Sequence, residues 1–289
     1  MGPQPMRRGY ADAGAGQIHY RVLGDGPPLV LLHATPRSSR VYERLMPLLA
    51  AGGFRVYAFD TPGFGNSDPL PAAPSMEGLA GLMVQAFDSL SLAKVHLFGL
   101  HTGNKIGAAL AADWPGRVSR FVCVGMTHSI VIDKQTRDAA ILDIVQKGLD
   151  GTAPRDDGGH LVKRWAATFG AVAKAWWNAA LIGKPVVTAA DIRLLENEVM
   201  DLIQARHSFD AIYPANFRFD LGAAFARIAV PTLVVELATA QEDHLGRQAE
   251  AVAKLLPQGH AVTLEHTDRG VMEDDPEALA AAILPFLKA

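Results

Sequence analysis

The chain is poor in cysteine, in clustered positive charge and in long apolar runs. Its one cysteine, Cys123, cannot form an internal disulfide, so nothing calls for an oxidising compartment. That cysteine sits in the apolar run Arg120-Phe-Val-Cys-Val, where a buried strand thiol is expected. No stretch of about 18 apolar residues occurs, so no membrane span is implied. The two arginines among the first eight residues are followed by no apolar segment, which argues against a signal peptide and for a cytoplasmic location. Lys and Arg number 27 against 30 Asp and Glu, a formal net charge of −3. With no concentrated positive face, neither nucleic acid nor a membrane surface is an expected partner. What the chain does have is apolar content, at 49 % of 289 residues, enough for a large core.

Along the sequence, short apolar runs alternate with segments of helical spacing. Gln17 to Leu23 reads as a strand closed by Gly24-Asp25-Gly26, and Pro27-Pro28-Leu-Val-Leu-Leu-His33 reads as a strand buried on both faces. Tyr42 to Ala51 has helical spacing, Phe54 to Phe59 is the next strand, and a glycine-rich loop runs from Asp60 to Asp68. A helix over Met76 to Ser91, a strand over Lys94 to Leu100, a helix over Thr102 to Trp114 and a strand over Val118 to Val124 follow. Such alternation predicts a mostly parallel, doubly wound sheet flanked by helices. From about His128 to Asp220 the chain is helical in character, and alternation then resumes with strands at Val230 to Glu236 and Ala261 to Glu265. Helices over Asp243 to Leu256 and Pro276 to Leu287 complete it. The expected organisation is a core of residues 1–127 and 221–289, with a helical cap of residues 128–220 inserted after the sixth strand, over the C-terminal strand ends where such sheets hold their sites.

Four segments carry a family resemblance. Val95-His-Leu-Phe-Gly99-Leu100-His101-Thr102-Gly103 is a strand, tight turn and helix start that resembles the G-x-S-x-G nucleophile elbow of the α/β-hydrolase family. Leu31-Leu32-His33-Ala34-Thr35-Pro36 resembles its oxyanion loop, and Asp60-Thr-Pro-Gly-Phe-Gly-Asn-Ser-Asp68 its D-x-P-G-x-G-x-S-D loop. Glu273-Asp-Asp-Pro276-Glu-Ala-Leu resembles the opening of its last helix. The resemblance spans nearly the whole chain outside the cap, and it implies an α/β-hydrolase fold.

The departures bear on chemistry. Where the family places Ser, Cys or Asp at the elbow, this chain has His101. Where the family's histidine stands, seven residues before the matching proline, it has Arg269, and Ala240 falls at the position of the acid. No Ser-His-Asp triad is therefore available. The chain resembles a subgroup with H-T-G at the elbow and D-G-x-H-L in the cap, here Asp157-Gly158-Gly-His160-Leu.

The expected catalytic set is His101, His160 and Arg269, with the N–H groups of Ala34 and Thr102 as oxyanion donors. His33, Arg37 and Trp165 are the candidate substrate contacts. A neutral imidazole at the N-terminus of a helix can serve as general base, hydrogen-bond donor or nucleophile. His266, three residues before Arg269, is a second candidate for the missing histidine, and Glu236, Glu242, Asp243 and Asp268 are candidate acids behind His101. No metal or other cofactor is called for by the local spacings. The resemblance implies an enzyme acting on a small, partly apolar carbonyl compound: an ester, a lactone or a C–C bond beside a carbonyl. Lyase, decarboxylase or isomerase chemistry on the same fold, or silent ligand binding, are the alternatives. The expected partner is a small-molecule substrate, and a homodimer is left open.

Overall fold

The computed structural model describes residues 5–14, 16–126, 130, 136, 155–172, 189–239, 246–268 and 270–289. Eight strands form one sheet: β1 (Arg7–Ala13), β2 (Gly16–Leu23), β3 (Pro28–Leu32), β4 (Arg55–Phe59), β5 (Val95–Leu100), β6 (Val118–Val124), β7 (Thr232–Ala238) and β8 (Gly259–Glu265). Their spatial order is β1-β2-β4-β3-β5-β6-β7-β8. The β1–β2 and β2–β4 pairs are antiparallel, and every later pair is parallel. This is the expected mostly parallel sheet.

The α-helices include α1 (Leu45–Ala51), α2 (Met76–Ser89), α3 (Thr102–Asp113), α4 (Gly159–Val172), α5 (Ala189–Arg218), α6 (Leu221–Arg227), α7 (Ala249–Ala253), α8 (Val271–Asp274) and α9 (Pro276–Lys288), and those packed on the sheet cover both its faces. Alternation along the strands assigns residues to faces. Val30, Leu32, Leu97, Phe121, Cys123 and Val234 pack with Leu79, Met83 and Phe87 of α2 and Ile106 and Leu110 of α3. Leu29, Leu31, Phe98, Val122, Val124 and Val235 pack on the other side with α1 and α9. Burial on both faces is why these strands read as continuous apolar runs rather than alternating ones.

Local chemistry sets the ends. Ser75 caps α2 by accepting the N–H of Gly78, and Asp275 caps α9 by accepting that of Ala278, with Pro276 in the first turn. The chain leaves the sheet after β6 and returns at β7, and the described part of that excursion consists of α4, α5 and α6. No helix among the described residues is long and apolar enough to cross a membrane.

Candidate functional site

At the C-terminal end of β5 the backbone turns through His101, with φ 51° and ψ −106°. A left-handed φ at a residue with a Cβ costs on the order of 1–3 kcal/mol, and it persists only where the surroundings impose it. Here they do. The N–H of His101 donates to the carbonyl of Val124 (3.3 Å), and its own carbonyl accepts the N–H of Asn104 (3.0 Å). A Cβ on Gly103 would collide with the carbonyl oxygen of Leu32, so helix α3 lies directly against β3.

Asn104, which sequence reasoning passed over, binds the elbow to the end of β6. Its Oδ1 accepts the N–H of Val124 (3.2 Å), and its Nδ2 donates to the carbonyls of Val124 (3.0 Å) and Gly125. Three backbone groups beside the turn are thereby satisfied by one buried amide. Gly125, at φ 58°, faces the imidazole of His101, which is 5 % exposed. A Cβ at Gly125 would stand 3.0 Å from Nε2 and 3.3 Å from Cδ2.

The oxyanion loop runs beside this turn. The carbonyl of Ala34 accepts the N–H of Arg37 (2.8 Å) and Nδ1–H of His33 (2.9 Å). The N–H of Thr35 donates to Oγ1 of Thr102 (3.4 Å), tying the loop to the start of α3. The N–H of Thr102 opens the helix and is among those no intrahelical carbonyl can reach.

His33 is buried between this loop and the next. Its Nε2 accepts the N–H of Thr61 (2.9 Å), which with Nδ1–H donating to Ala34 defines a neutral ring. Burial holds its pKa below the usual histidine range, against the pull of Asp60. Both nitrogens are taken up by the scaffold, where the sequence reading expected a substrate contact.

Asp60 organises the glycine loop. It accepts hydrogen bonds from Nδ1 of His19 (2.8 Å), the N–H of Ser39 (2.6 Å) and the N–H of Asn66 (2.9 Å). Burial alone would raise its pKa. The histidine partners and the N–H donors outweigh that and hold it well below the ordinary carboxylate range.

Arg37 also differs from expectation. Rather than facing a substrate, its guanidinium is buried and spans Glu273 with two hydrogen bonds (3.1 and 2.8 Å), while Nε reaches Asp201 of α5 (3.4 Å). The fork geometry of arginine suits a carboxylate, and here the carboxylates are the protein's own.

His160 lies in the first turn of α4 and its Nδ1 accepts the N–H of Arg155 (3.0 Å). Trp165, on the same helix, has 40 % of its surface exposed, beside the exposed Leu161 and Val162. His266 follows β8 in a turn and is exposed. Among the candidate acids, Glu236 accepts the N–H groups of Gln248 (2.6 Å) and Ala249 (3.1 Å), so it caps α7. Asp268 is buried and accepts the N–H of Gly270 (2.7 Å). Arg269, Ala240, Glu242 and Asp243 lie outside the described residues.

Sequence reasoning also passed over Lys105, four residues beyond the elbow. It is fully buried, with Nζ donating to the carbonyl of Asn216 in α5 (2.5 Å) and lying 5.2 Å from the centre of the Phe217 ring. A lysine inside a helix otherwise rich in alanine was the available signal.

The arrangement so far is a strained turn carrying an imidazole, one backbone donor at a helix start, and a loop pinned from below by buried polar groups. The sequence pattern of the alpha/beta hydrolase fold family matches residues 27–276. The chain is similar to a haloalkane dehalogenase from Mycobacterium marinum, 39 % identical over 110 residues that make up 37 % of each chain. It is also similar to a 2-hydroxy-6-oxononadienedioate/2-hydroxy-6-oxononatrienedioate hydrolase from Escherichia coli O139:H28, 32 % identical over 114 residues, 38 % of this chain and 40 % of that one. The chain thus spans well under half the length of these curated relatives. Among solved structures, a hydrolase from Pseudomonas aeruginosa PA01 superposes over 98 % of this chain and 99 % of its own, with a TM-score of 0.75 at 23 % identity.

Proposed function

The chain belongs to the α/β-hydrolase fold family, and from that premise we propose that it is an enzyme of a subgroup whose elbow carries histidine. It acts on a small, partly apolar carbonyl compound without a Ser-His-Asp triad. The observation that supports this reading is the elbow itself, where a histidine is held at φ 51° at the N-terminus of α3 beside an intact oxyanion loop. The positive end of the helix disfavours a second positive charge, so the imidazole rests in the neutral form that a general base requires.

In the proposed reaction His101 takes a proton from water as the oxygen adds to the carbonyl carbon. The N–H groups of Ala34 and Thr102 hold the resulting oxyanion, a contribution of about 3–4 kcal/mol per well-placed donor. Collapse of the adduct expels the leaving group, which takes the proton back from His101. Arg269, at the family's histidine position, receives an anionic group of the substrate, and His160 approaches from the cap. The dioate named in the Escherichia coli relative is a carbonyl compound of this kind. An imidazole in place of an elbow hydroxyl also favours a second reading, in which the same base serves proton transfer in a lyase or isomerase.

The test is turnover of a panel of short activated esters and lactones by the wild type and by His101→Ala. The expected result is wild-type turnover above background with a loss of about 10²–10⁴-fold in the variant. Equal inertness of both proteins would end the acyl-transfer reading and move the search to lyase substrates and ligand binding.

A further inference from the structure

The buried guanidinium of Arg37 stands among more carboxyl groups than it can serve. Glu273 takes its two terminal nitrogens, and Asp201 takes Nε through Oδ2. Oδ1 of Asp201 accepts the hydroxyl of Ser38 (2.8 Å) and lies 4.0 Å from Nε of Arg40. One turn earlier on α5 is Glu198, 5 % exposed, whose Oε1 has no hydrogen-bond partner among the described residues. Among the described residues, the charged groups acting on Glu198 are Arg37 next to the oxyanion loop, Glu273 from α8 and Asp201 from its own helix.

Among the described residues, three buried carboxyl groups thus lie in the field of the Arg37 guanidinium, with that of Arg40 reaching only Asp201, at 4.0 Å. Full ionisation leaves one carboxylate desolvated without a partner of its own, which is costly. The cheaper state stores a proton on the member with the poorest hydrogen bonding, and that member is Glu198.

We propose that Glu198 is a proton-operated latch that seats helix α5 on the oxyanion loop. With Glu198 neutral, Arg37 is shared by two carboxylates and α5 packs tightly. With Glu198 ionised, a third negative charge repels Asp201 and Glu273, and α5 loosens from Arg37. Because the N–H of Arg37 donates to the carbonyl of Ala34, the loosening is felt at the loop backbone. Glu198 is therefore a positioning residue that acts through Arg37. The inference stands whatever chemistry His101 performs.

Burial, followed by the charges of Glu273 and Asp201 against that of Arg37, raises the Glu198 pKa from 4.5 to about 7. A group with a raised pKa in the folded protein contributes stability that is present below its unfolded value and lost as pH rises through its folded value. The window is therefore about pH 4.5 to 7, with no further change above it. His33 titrates in the opposite sense within part of that range, so the difference between wild type and Glu198→Gln isolates the latch.

The experiment is chemical unfolding of both proteins from pH 5 to 8, with native-state hydrogen exchange of α5 and of residues 33–40. The wild-type folding constant, relative to that of the variant, is expected to fall by about two orders of magnitude across the window. Exchange in α5 and in the loop is expected to quicken in the wild type alone once intrinsic rates are divided out. Parallel stability curves, or a pH-dependent opening that lies elsewhere, overturn the latch. Should Glu198→Gln fail to fold, carbon NMR of carboxyl-labelled glutamate in the wild type decides. One carboxyl titrating near pH 7 supports the proposal, and all of them titrating in the ordinary range overturns it.

Discussion

The imidazole of His101 rests on Gly125, where a methyl group in place of the Cα hydrogen would press on the ring. A Cβ there would come within 3.0 Å of Nε2. Glycine at this position therefore does two things: it supplies φ 58° at the end of β6, and it leaves the space the ring occupies. Gly125→Ala is expected to lose about 1–2 kcal/mol from backbone strain alone and to displace the ring as well. Gly53 gives the comparison, since it has φ 96° and nothing within 4 Å of an added Cβ. Gly53→Ala should lose the backbone part only. Denaturant unfolding of both variants, with the His101 ring resonances as a second readout, separates strain from displacement. Unmoved ring resonances in Gly125→Ala would show that the packing at the ring is looser than described.

His33 joins two loops through a neutral ring, so its protonation opposes the N–H of Thr61. Burial holds its folded pKa below the ordinary histidine value of 6.5. A group of this kind contributes stability that is complete above its unfolded pKa and declines as pH falls below it. His33→Phe keeps the bulk, leaves Thr61 N–H without its acceptor, and should cost about 1–3 kcal/mol. It should also remove one component of the acid-side decline. Nitrogen NMR of labelled histidine should find His33 with its proton on Nδ1 at pH 7, and a proton on Nε2 would contradict the hydrogen bonds described.

Asp60 is the common acceptor for His19, Ser39 and Asn66, so Asp60→Asn replaces an acceptor with a group that is half donor. The expected loss is on the order of 3 kcal/mol, as for breaking a buried charged partnership. Because the carboxyl pKa is depressed in the folded protein, its stabilisation is present above the unfolded value of 3.8 and is lost as pH falls below that. Unfolding measured between pH 3 and 7 should show a smaller acid-side decline in the variant than in the wild type. Identical slopes would mean that the three donors find other acceptors.

The parts of this fold that could be read in the sequence are those where the physics is local. The strands β3, β5, β6 and β7 are buried on both faces and announce themselves as apolar runs, and Pro276 after Asp275 marks the start of the last helix. The first strand, β1, went unmarked. Its sequence Arg-Arg-Gly-Tyr-Ala-Asp-Ala buries only Ala11 and Ala13, because it is an edge strand held by pairing to β2 rather than by apolar burial. The elbow and oxyanion loop were legible because glycine and proline spacing encodes a turn. The fate of Arg37 was not, since its partners lie 164 and 236 residues away and only the folded chain brings them together. Asn104 was hidden for a related reason: an asparagine in a helix start looks unexceptional until the strand end it bridges is in place.

Helix α5 is bolted to the core at three stations. Asp201 meets Ser38 and Arg37 (2.8 and 3.4 Å), Ser208 donates to the carbonyl of Gly63 (2.7 Å), and the carbonyl of Asn216 receives Lys105 (2.5 Å). The stations are seven and eight residues apart, two helical turns each, so they lie along one face. Anyone wishing to redirect this protein by transplanting the segment between β6 and β7 from another member inherits a docking code. The donor helix must carry an acid, a hydroxyl and an open carbonyl at those intervals. A graft chosen for its pocket residues alone would strip Arg37 of one of its two carboxylate partners and Lys105 of the carbonyl of Asn216.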